Sequence, residues 1–375
     1  MAASPGGGCT GHRHAGDDIG VGGGGAARGG RALRVVEIRE HGGPEVLQPA
    51  EWPTPEPGPG QVLVRVRAVA LNHIDLWVRK GLPRLRLRFP HLLGADVAGE
   101  VAAVGPGVEG WTPGDAVMVH PGVSCGHCPA CTAGQDNLCR HYAILGEHVP
   151  GGYAEYVVVP QANLLRKPAA LVFEEAAALP LVMLTAWNML VTNARLRFGE
   201  TVLVWGAGSG VGSAAIQIAR VFEARVLATA GAAWKLERAR ALGAEVVIDH
   251  RGQDVLEAVR QATDRRGVDV VVDHVGAATW ETSLKALAHG GRLAVCGATT
   301  GPVAPTDIRY IFGRRLSIHG TWMGTKGEMR QVMALVERGR LRPVVHAVLP
   351  LEQAAEAHRL LEASEHFGKV VLRIA

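Results

Sequence analysis

The chain has 375 residues, of which 47% are hydrophobic and 20% charged, so a sizeable core is expected and extensive disorder is excluded. At roughly 150 residues per domain, this length predicts two domains. The 39 basic and 35 acidic residues leave a net charge of +4. That excess is too small and scattered to indicate nucleic acid or an acidic membrane as a partner.

The first 32 residues differ from the remainder in composition. They contain 12 of the 49 glycines and few large apolar side chains, so they cannot bury enough surface to offset the entropy lost on ordering. We predict a flexible Gly-rich tail over residues 1–32, in preference to a metal site built from Cys9, His12 and His14. The tail lacks a basic segment followed by an apolar run, so we expect no signal peptide and a cytoplasmic protein.

Short β-branched runs separated by Pro- and Gly-rich turns follow this tail. They predict an all-β, barrel-like domain over residues 33–170, with strands at 35–38, 61–67, 97–104, 116–120 and 153–159. An uncharged stretch over residues 176–194 comes next. Its Pro, Asn and Thr residues favour a buried helix over a membrane span.

Strands and helices alternate over residues 171–323. The predicted strands are 201–205, 225–229, 245–248, 269–273, 292–296 and 316–319, with helices between most of them, such as 211–222, 234–242 and 255–262. Six strands with crossover helices predict a doubly wound parallel sheet, so the fold class is α/β. The segment 324–375 contains two helices and two strands, and we expect it to complete the first domain.

A glycine-rich turn ends the first strand of this series. Residues 204–212 read VWGAGSGVG, and their glycines allow the backbone to turn sharply and approach a pyrophosphate at the N-terminus of the following helix. The position of the turn within six alternating strands favours dinucleotide binding over a tight turn without a ligand.

The end of the second strand bears on the choice of nicotinamide cofactor. An acid there would accept hydrogen bonds from the ribose hydroxyls of NAD, but residues 227–231 read LATAG. The nearby basic residues Lys235, Arg238, His250 and Arg251 would instead attract a 2′-phosphate. The sequence therefore predicts NADP(H), with NAD(H) as the alternative; Lys235 and Arg238 could also be an ordinary solvated helix face.

Four cysteines occur within one short segment. Cys125, Cys128, Cys131 and Cys139 follow the spacing C-x2-C-x2-C-x7-C. Four thiolates around one ion are typical of a closed structural zinc site, which leaves no position open for a substrate. An iron–sulfur cluster is the alternative, but the long last spacing and Arg140 after it differ from the ferredoxin pattern. The sequence predicts one structural zinc per chain, with Cys296 elsewhere as a core residue.

Together these motifs resemble the medium-chain dehydrogenase/reductase superfamily, which includes zinc-dependent alcohol dehydrogenases and quinone oxidoreductases. The resemblance runs from residue 33 to residue 375. It depends on residues 93–101 (LGADVAGEV), the four-cysteine segment, residues 151–156 (GGYAEY), the glycine turn and residues 368–371 (GKVV). It implies a GroES-like β-barrel catalytic domain, a Rossmann domain and a cleft between them.

The chain departs from the zinc alcohol dehydrogenases where they hold their catalytic zinc. The family positions of a Cys, of the His in Gly-His-Glu and of a later Cys or acid correspond here to Asn72, Ala95 and, approximately, Leu181. An amide, a methyl and an isobutyl group cannot form the open three-ligand site that this chemistry requires. Asn72 to Asp75 and Gly94 to Asp96 instead resemble the quinone oxidoreductase branch, which has no catalytic zinc.

The chemistry that remains is hydride addition to a conjugated C=C bond. The carbonyl of a quinone, an enone or an enoyl thioester takes up the charge, so the protein has to position the substrate, stabilise an enolate and supply a proton. The candidate catalytic residues are Asn72, His73, Asp75 and Asp96. Asn72 could donate to the substrate or the nicotinamide ribose; the others could orient it, relay a proton or be structural.

The resemblance also implies the cofactor contacts. The candidate cofactor-binding residues are Thr185, Gly206, Gly208, Ser209, Gly210, Val211, Gly212, Thr229, Lys235, His250, Val275, Gly297 and Lys369. We expect a small apolar substrate held by residues such as Trp77, Leu82, Ile144 and Trp322. A homodimer or homotetramer is expected, with the edge strand at residues 316–319 as the pairing element.

Two other functions stay open from the sequence. One is a zinc-dependent alcohol dehydrogenase with unusual ligands, for instance Asp96 with His73 or His148. The other is a protein that binds NADPH and catalyses no reaction.

Overall fold

The structure is a computed structural model that describes residues 32–83 and 85–375. The predicted tail over residues 1–32, with its alternative metal site, therefore lies outside the described residues, apart from Ala32 at the start of the first strand.

The elements follow the chain from residue 32 to its C-terminal end. The strands are β1 (Ala32–Ile38), β2 (Gln48–Pro53), β3 (Gln61–Ala70), β4 (His91–Leu92), β5 (Asp96–Val104), β6 (Ala116–Val119), β7 (Gly122–Val123), β8 (Ala143–Ile144), β9 (Tyr156–Pro160), β10 (Leu164–Arg166), β11 (Thr201–Val204), β12 (Arg225–Ala230), β13 (Val246–Asp249), β14 (Val268–Asp273), β15 (Leu287–Val295), β16 (Ser317–Gly320), β17 (Val345–Pro350) and β18 (Lys369–Arg373). The α-helices are α1 (His73–Lys80), α2 (Pro129–Thr132), α3 (Phe173–Ala177), α4 (Pro180–Trp187), α5 (Gly210–Val221), α6 (Ala233–Ala241), α7 (Val255–Ala262), α8 (Trp280–Ala286), α9 (Ile308–Arg314), α10 (Lys326–Glu337) and α11 (Ala354–Glu362).

The N-terminal part is built on a seven-stranded sheet. Its order is β10-β6-β5-β3-β18-β17, and β9 also pairs with β3. The central strand β3 is rich in β-branched residues, and its Val62, Val64 and Val66 are buried. Strand β18 runs antiparallel to β3 with Val371 opposite Ala70, so the end of the chain returns to this sheet.

The second sheet has six parallel strands in the order β13-β12-β11-β14-β15-β16. Because side chains alternate along a strand, β11 presents its residues to two separate hydrophobic clusters. Val202 and Val204 pack in one cluster and Leu203 in the other. A parallel sheet that is buried on both faces is the doubly wound arrangement.

The uncharged stretch over residues 176–194 is buried over most of its length, as predicted, but it does not form one continuous helix. Pro180 lacks a backbone N–H and begins the new helix α4, while α3 ends before it. The chain then continues from α4 into a π-helix, Asn188–Asn193. Within residues 32–83 and 85–375, no helix is both long and apolar enough to cross a membrane.

Candidate active site

The strand order places a crevice beside the glycine-rich turn. Strands β11 and β14 are neighbours, but the strand that follows β11 lies on one side of this pair and the strand that follows β14 lies on the other. Ligands of doubly wound sheets bind beyond the carboxyl ends of the strands at such a point. Gly206 follows β11 and His274 follows β14, so both residues lie at the crevice. Two cavities open there, and His73, Ser209 and His274 line both of them.

The turn itself is built to begin helix α5. Ser209 is the N-cap residue, and its Oγ accepts a hydrogen bond from the backbone N–H of Gly212 at 2.8 Å. A Cβ on Gly212 would lie 2.3 Å from the Gly206 carbonyl oxygen, so only glycine fits at this position. The Ser209 hydroxyl also lies 2.9 Å from His274 Nε2, which connects the turn to the end of β14.

The larger cavity, about 620 Å³, fits the phosphate and adenosine side of a dinucleotide, and we call it the cofactor cavity. The turn glycines Gly206 and Gly208 line one part of it, and Lys235, His250 and Arg251 line another. No carboxylate stands at the end of β12, where the chain reads Ala230-Gly231. Burial lowers the pKa values of Lys235 and His250, and the neighbouring Arg251 lowers both further.

Most of the predicted cofactor residues line one of the two cavities. Those that do are Thr185, Gly206, Gly208, Ser209, Gly210, Val211, Lys235, His250, Val275, Gly297 and Lys369. Two do not. Gly212 packs against the turn, and the fully buried Thr229 accepts at Oγ1 from the backbone N–H of Gly206 at 3.1 Å. These two residues hold the shape of the turn.

Two histidines in the cofactor cavity were not predicted from the sequence. His274 follows β14 directly, and the strand order could have indicated it. His366 lies in the loop before β18, far from the glycine turn in sequence, and no local pattern marks it. Burial lowers the pKa of His274, and it lowers that of His366 to about 3. Both side chains are therefore neutral near pH 7.

The smaller cavity, about 130 Å³, is mostly apolar and adjoins the cofactor cavity; we call it the substrate cavity. Trp77, Ile144 and Trp322 line it as predicted. Leu82 does not, because it packs instead against the hydrophobic core of the first sheet. Cys296 packs against the hydrophobic core as predicted, but it is only half-buried and also lines this cavity. Burial raises the pKa of its thiol to about 12, so the thiol is uncharged.

At the base of this cavity lies a buried group of three polar side chains. Lys369 Nζ donates to Asn72 Oδ1 at 2.5 Å and to Asp96 Oδ2 at 3.1 Å. Asn72 Nδ2 in turn donates to Asp96 Oδ2 at 2.9 Å. The other Asp96 oxygen accepts from the backbone N–H of Leu181 at 2.8 Å. Asn72 and Lys369 line the cavity, whereas Asp96 lies behind them.

The other two candidate catalytic residues differ in position. Asp75 is fully buried and caps helix α1, since its carboxylate accepts from the backbone N–H groups of Asn72 at 2.7 Å and Gly94 at 2.9 Å. Burial raises its pKa to about 6 against the opposing effect of these bonds. His73 lines both cavities, and burial lowers its pKa to about 4, with His274 and Lys369 adding to the effect.

The four cysteines converge as a metal site would require. Their sulfur atoms all lie within 4.8 Å of one another, with Sγ–Sγ distances of 3.5, 3.6 and 3.9 Å for three of the pairs. Sulfur atoms about 2.3 Å from a tetrahedral zinc are separated by about 3.8 Å, so the cluster fits a structural zinc. Across the described ranges, no other group of three or more His, Cys, Asp or Glu side chains is gathered this closely. None of Asp96, His73 and His148, the alternative zinc ligands considered from the sequence, belongs to such a group.

Comparison with known proteins identifies the family. Residues 58–169 match the model of the alcohol dehydrogenase GroES-like domain, and residues 210–338 match that of the zinc-binding dehydrogenase domain. A quinone oxidoreductase from Lama guanicoe is 33% identical over 354 residues, which are 92% of this chain and 99% of that protein. The chain belongs to the medium-chain dehydrogenase/reductase superfamily, and the predicted fold class, a GroES-like domain with a Rossmann-type parallel sheet, is confirmed.

Solved structures agree with this assignment. The crystal structure of an NAD-dependent alcohol dehydrogenase is 55% identical, with a TM-score of 0.89 over 91% of this chain and 100% of that one. A 2-octenoyl-CoA carboxylase reductase in complex with NADP and 2-octenoyl-CoA is 32% identical, with a TM-score of 0.82 over 92% and 88%. The protein is therefore an NAD(P)-dependent oxidoreductase.

Proposed function

We propose that this protein uses NADPH to reduce a C=C bond conjugated to a carbonyl group, in a quinone, an enone or an enoyl thioester. The observation that carries the proposal is the buried group of Asn72, Asp96 and Lys369 beneath an apolar cavity that adjoins the cofactor cavity. The ammonium group provides positive charge where an enolate oxygen develops, and the apolar walls suit a small conjugated substrate.

NADPH supplies the hydride when it is bound. Two groups of residues in this chain would hold the cofactor. The N–H groups at the start of α5, with Gly206 and Gly208, would bind the pyrophosphate. Lys235, His250 and Arg251 would bind the 2′-phosphate, because cations attract this group and no carboxylate at Gly231 repels it. The reductase that binds NADP and 2-octenoyl-CoA supports this cofactor and this substrate class.

One structural zinc per chain would be bound by Cys125, Cys128, Cys131 and Cys139, in the four-cysteine lobe between β7 and β8, and would take no part in the reaction. All four ligand positions come from the protein, so a substrate cannot reach the ion. The lobe would hold the loop between β7 and β8, and β8 ends at Ile144 in the wall of the substrate cavity.

Alcohol oxidation with NAD is a second candidate function. It is favoured by the 55% identity to an NAD-dependent alcohol dehydrogenase. The side chains of Asn72, Ala95 and Leu181 disfavour alcohol oxidation, since they do not supply the three protein ligands of a catalytic zinc.

The deciding experiment combines activity with metal content. Purified protein is assayed with NADPH and NADH on 2-cyclohexenone, 1,4-benzoquinone and 2-octenoyl-CoA, and with NAD and NADP on primary and secondary alcohols. Zinc per chain is measured on the same sample. We expect reduction of conjugated substrates with NADPH at about one zinc per chain. Alcohol oxidation with about two zinc ions would establish the second candidate, and tight NADPH binding without turnover would indicate a non-catalytic protein.

A further inference from the structure

We propose that His366 is a further cofactor-binding residue, and that its imidazole forms a hydrogen bond with a hydroxyl group of the nicotinamide ribose. The inference rests on the proposed function for the nicotinamide cofactor alone, and it applies to NADPH and NADH alike. It gives the cofactor an anchor in the segment that returns to the first sheet, besides those in the glycine turn and around Lys235.

His366 lies where the two cavities meet. The glycine turn in the cofactor cavity would hold the pyrophosphate, and the nicotinamide has to reach the substrate cavity, so the nicotinamide ribose has to lie at the boundary between them. Among the described residues, five line both cavities, and they are His73, Ser209, His274, Thr299 and His366. All five carry a polar side-chain group, which suits a sugar better than an apolar substrate.

Three of these five side chains already form hydrogen bonds within the protein. Ser209 Oγ and His274 Nε2 lie 2.9 Å apart, and Thr299 Oγ1 donates to the Val275 carbonyl oxygen at 3.4 Å. His366 differs, because its side chain is only 4% exposed and its buried Nδ1 has no hydrogen-bond partner in the described part of the chain. Proteins pair nearly all such atoms, so an unpaired nitrogen in the wall of a ligand cavity indicates a partner that the ligand supplies.

The charge of the imidazole determines which part of the cofactor it fits. Burial, with smaller effects from Lys235, His73 and His346, lowers the pKa of His366 to about 3. The ring is therefore neutral, with one N–H donor and one acceptor nitrogen. The acceptor nitrogen cannot pair with a phosphate, which offers no donor. A ribose hydroxyl both donates and accepts, so it matches either nitrogen.

The loop that carries His366 is held against the glycine turn. The Gly368 N–H donates to the Gly208 carbonyl oxygen at 2.9 Å, and Lys235 Nζ donates to the Ser364 carbonyl oxygen. A Cβ on Gly208 would lie 3.3 Å from the His366 carbonyl oxygen, so the two segments are in close contact. The imidazole is thus in place before the cofactor binds, and little conformational entropy is lost when the contact forms.

The binding of cofactor fragments tests the proposal without turnover. Dissociation constants are measured by isothermal titration calorimetry for NADPH and for 2′,5′-ADP, which has the adenosine and its phosphates but no nicotinamide ribose. His366→Phe retains a planar ring and removes both nitrogens. We expect Kd for NADPH to rise about tenfold and Kd for 2′,5′-ADP to stay constant, because the variant loses one hydrogen bond to the part that only NADPH has.

His346→Phe is the matched control. Nδ1 of His346 is also buried and unpaired, but this residue lines neither cavity. Its ring stacks on Trp234 at a centroid distance of 6.0 Å, and phenylalanine can keep that contact. Neither dissociation constant should therefore change in this variant.

A second comparison tests for the ribose hydroxyl itself. Two NADPH analogues, each lacking one hydroxyl of the nicotinamide ribose, are titrated into the wild type and into His366→Phe. One analogue should bind the wild type about tenfold more weakly than NADPH does. It should bind His366→Phe as tightly as NADPH does, since in that variant the hydroxyl has already lost its partner.

Three results would overturn the proposal: unchanged NADPH binding in His366→Phe, an equal loss of affinity for 2′,5′-ADP, or analogues that weaken binding equally in both proteins. A preference for NADH, or failure to reduce any conjugated substrate, would instead refute the proposed function. His366 would then be tested by the same comparison with NADH, ADP and the corresponding deoxy analogues, because the nicotinamide ribose is common to both cofactors.

Discussion

Asp136 forms an ion pair with Lys326, with Asp136 Oδ2 and Lys326 Nζ 3.1 Å apart. Asp136 lies between the third and fourth cysteines of the cluster, and Lys326 is the first residue of helix α10. The same carboxylate accepts from the backbone N–H of Lys326 at 3.0 Å. Trp322 and Met323 precede α10 and line the substrate cavity, so this contact joins the cysteine lobe to the cavity wall.

Removal of the zinc should therefore affect more than the lobe. We expect about one zinc per chain in the wild type and almost none in Cys131→Ser, because three thiolates hold the ion much less tightly than four. Loss of the metal should free the segment that carries Asp136 and lower the melting temperature by roughly 5–10 °C. Elemental mass spectrometry and thermal unfolding measure the two effects.

Cys296→Ala is the control for this zinc measurement. Cys296 lies outside the cluster, in the wall of the substrate cavity, so its removal should leave the zinc content unchanged. Full zinc content in Cys131→Ser, or no zinc in the metal-replete wild type, would show that the cluster is not a structural zinc site.

The choice of cofactor should depend on Arg251. Its side chain lines the cofactor cavity together with Lys235 and His250. Arg251→Ala removes one charged hydrogen bond to a 2′-phosphate, worth about 1.5–3 kcal/mol, so KM for NADPH should rise roughly 10–100-fold while KM for NADH stays constant. Arg240→Ala, exposed on α6, should change neither constant. Equal effects on both cofactors would contradict the predicted 2′-phosphate site.

Gly231→Asp should shift the preference in the opposite direction. A Cβ at Gly231 would lie 2.7–2.8 Å from the side-chain atoms Arg251 Nε and His250 Nε2, which can move aside. The new carboxylate would accept from the ribose hydroxyls of NADH and repel the 2′-phosphate of NADPH. The ratio of kcat/KM for NADH to that for NADPH should rise at least about tenfold.

The fold was largely predictable because it follows from local periodicity. Residues 255–262 were predicted as a helix, and α7 has these same bounds. The glycine turn was predictable for the same reason, since strand, turn and helix N-terminus are adjacent in sequence. The helix over residues 176–194 was mispredicted because apolar composition gives no indication of where Pro180 divides it.

The arrangement of the site was less predictable because it depends on distant parts of the chain. Asn72 and Lys369 are 297 positions apart and meet only because β18 pairs with β3. The sequence identified both residues, but it gave no indication that their side chains bond to each other. Which atoms a buried side chain contacts is determined by packing, and no spacing rule encodes it.

The buried pair of Arg79 and His358 should make stability depend on pH. Arg79 Nη1 lies 3.0 Å from His358 Nδ1, and a guanidinium can only donate, so Nδ1 accepts and the ring proton is on Nε2. That nitrogen donates to the Tyr153 hydroxyl oxygen at 2.9 Å. The ring is thus neutral, and burial, with Arg79 adding to the effect, lowers the pKa of His358 to about 3.

The sign of the effect follows from proton linkage. Below about pH 6.5 the unfolded chain protonates His358 while the folded protein does not, so the free energy of unfolding decreases as the pH falls toward 3. When the pH falls from 7.5 to 5, the free energy of unfolding should decrease in both proteins, but by about 1–2 kcal/mol less in His358→Gln than in the wild type. Urea unfolding at the two pH values measures this difference. His289→Gln, exposed on β15, should follow the wild type. The same pH dependence in both variants would contradict the buried neutral assignment.

The edge strand β16 should pair with a second copy of the chain. It is the last strand of the six-stranded sheet, so one of its sides has no strand partner among the described residues. Ile318 on this strand and Phe312 on the preceding helix α9 are exposed apolar side chains. Such an edge is stable in water when a two-fold related copy covers it.

Light scattering should show a dimer or tetramer for the wild type, and Ile318→Asp combined with Phe312→Asp should reduce its mass by a factor of at least about two. Phe198→Asp, equally exposed but located before β11, should retain the wild-type mass, and a monomeric wild type would refute the pairing.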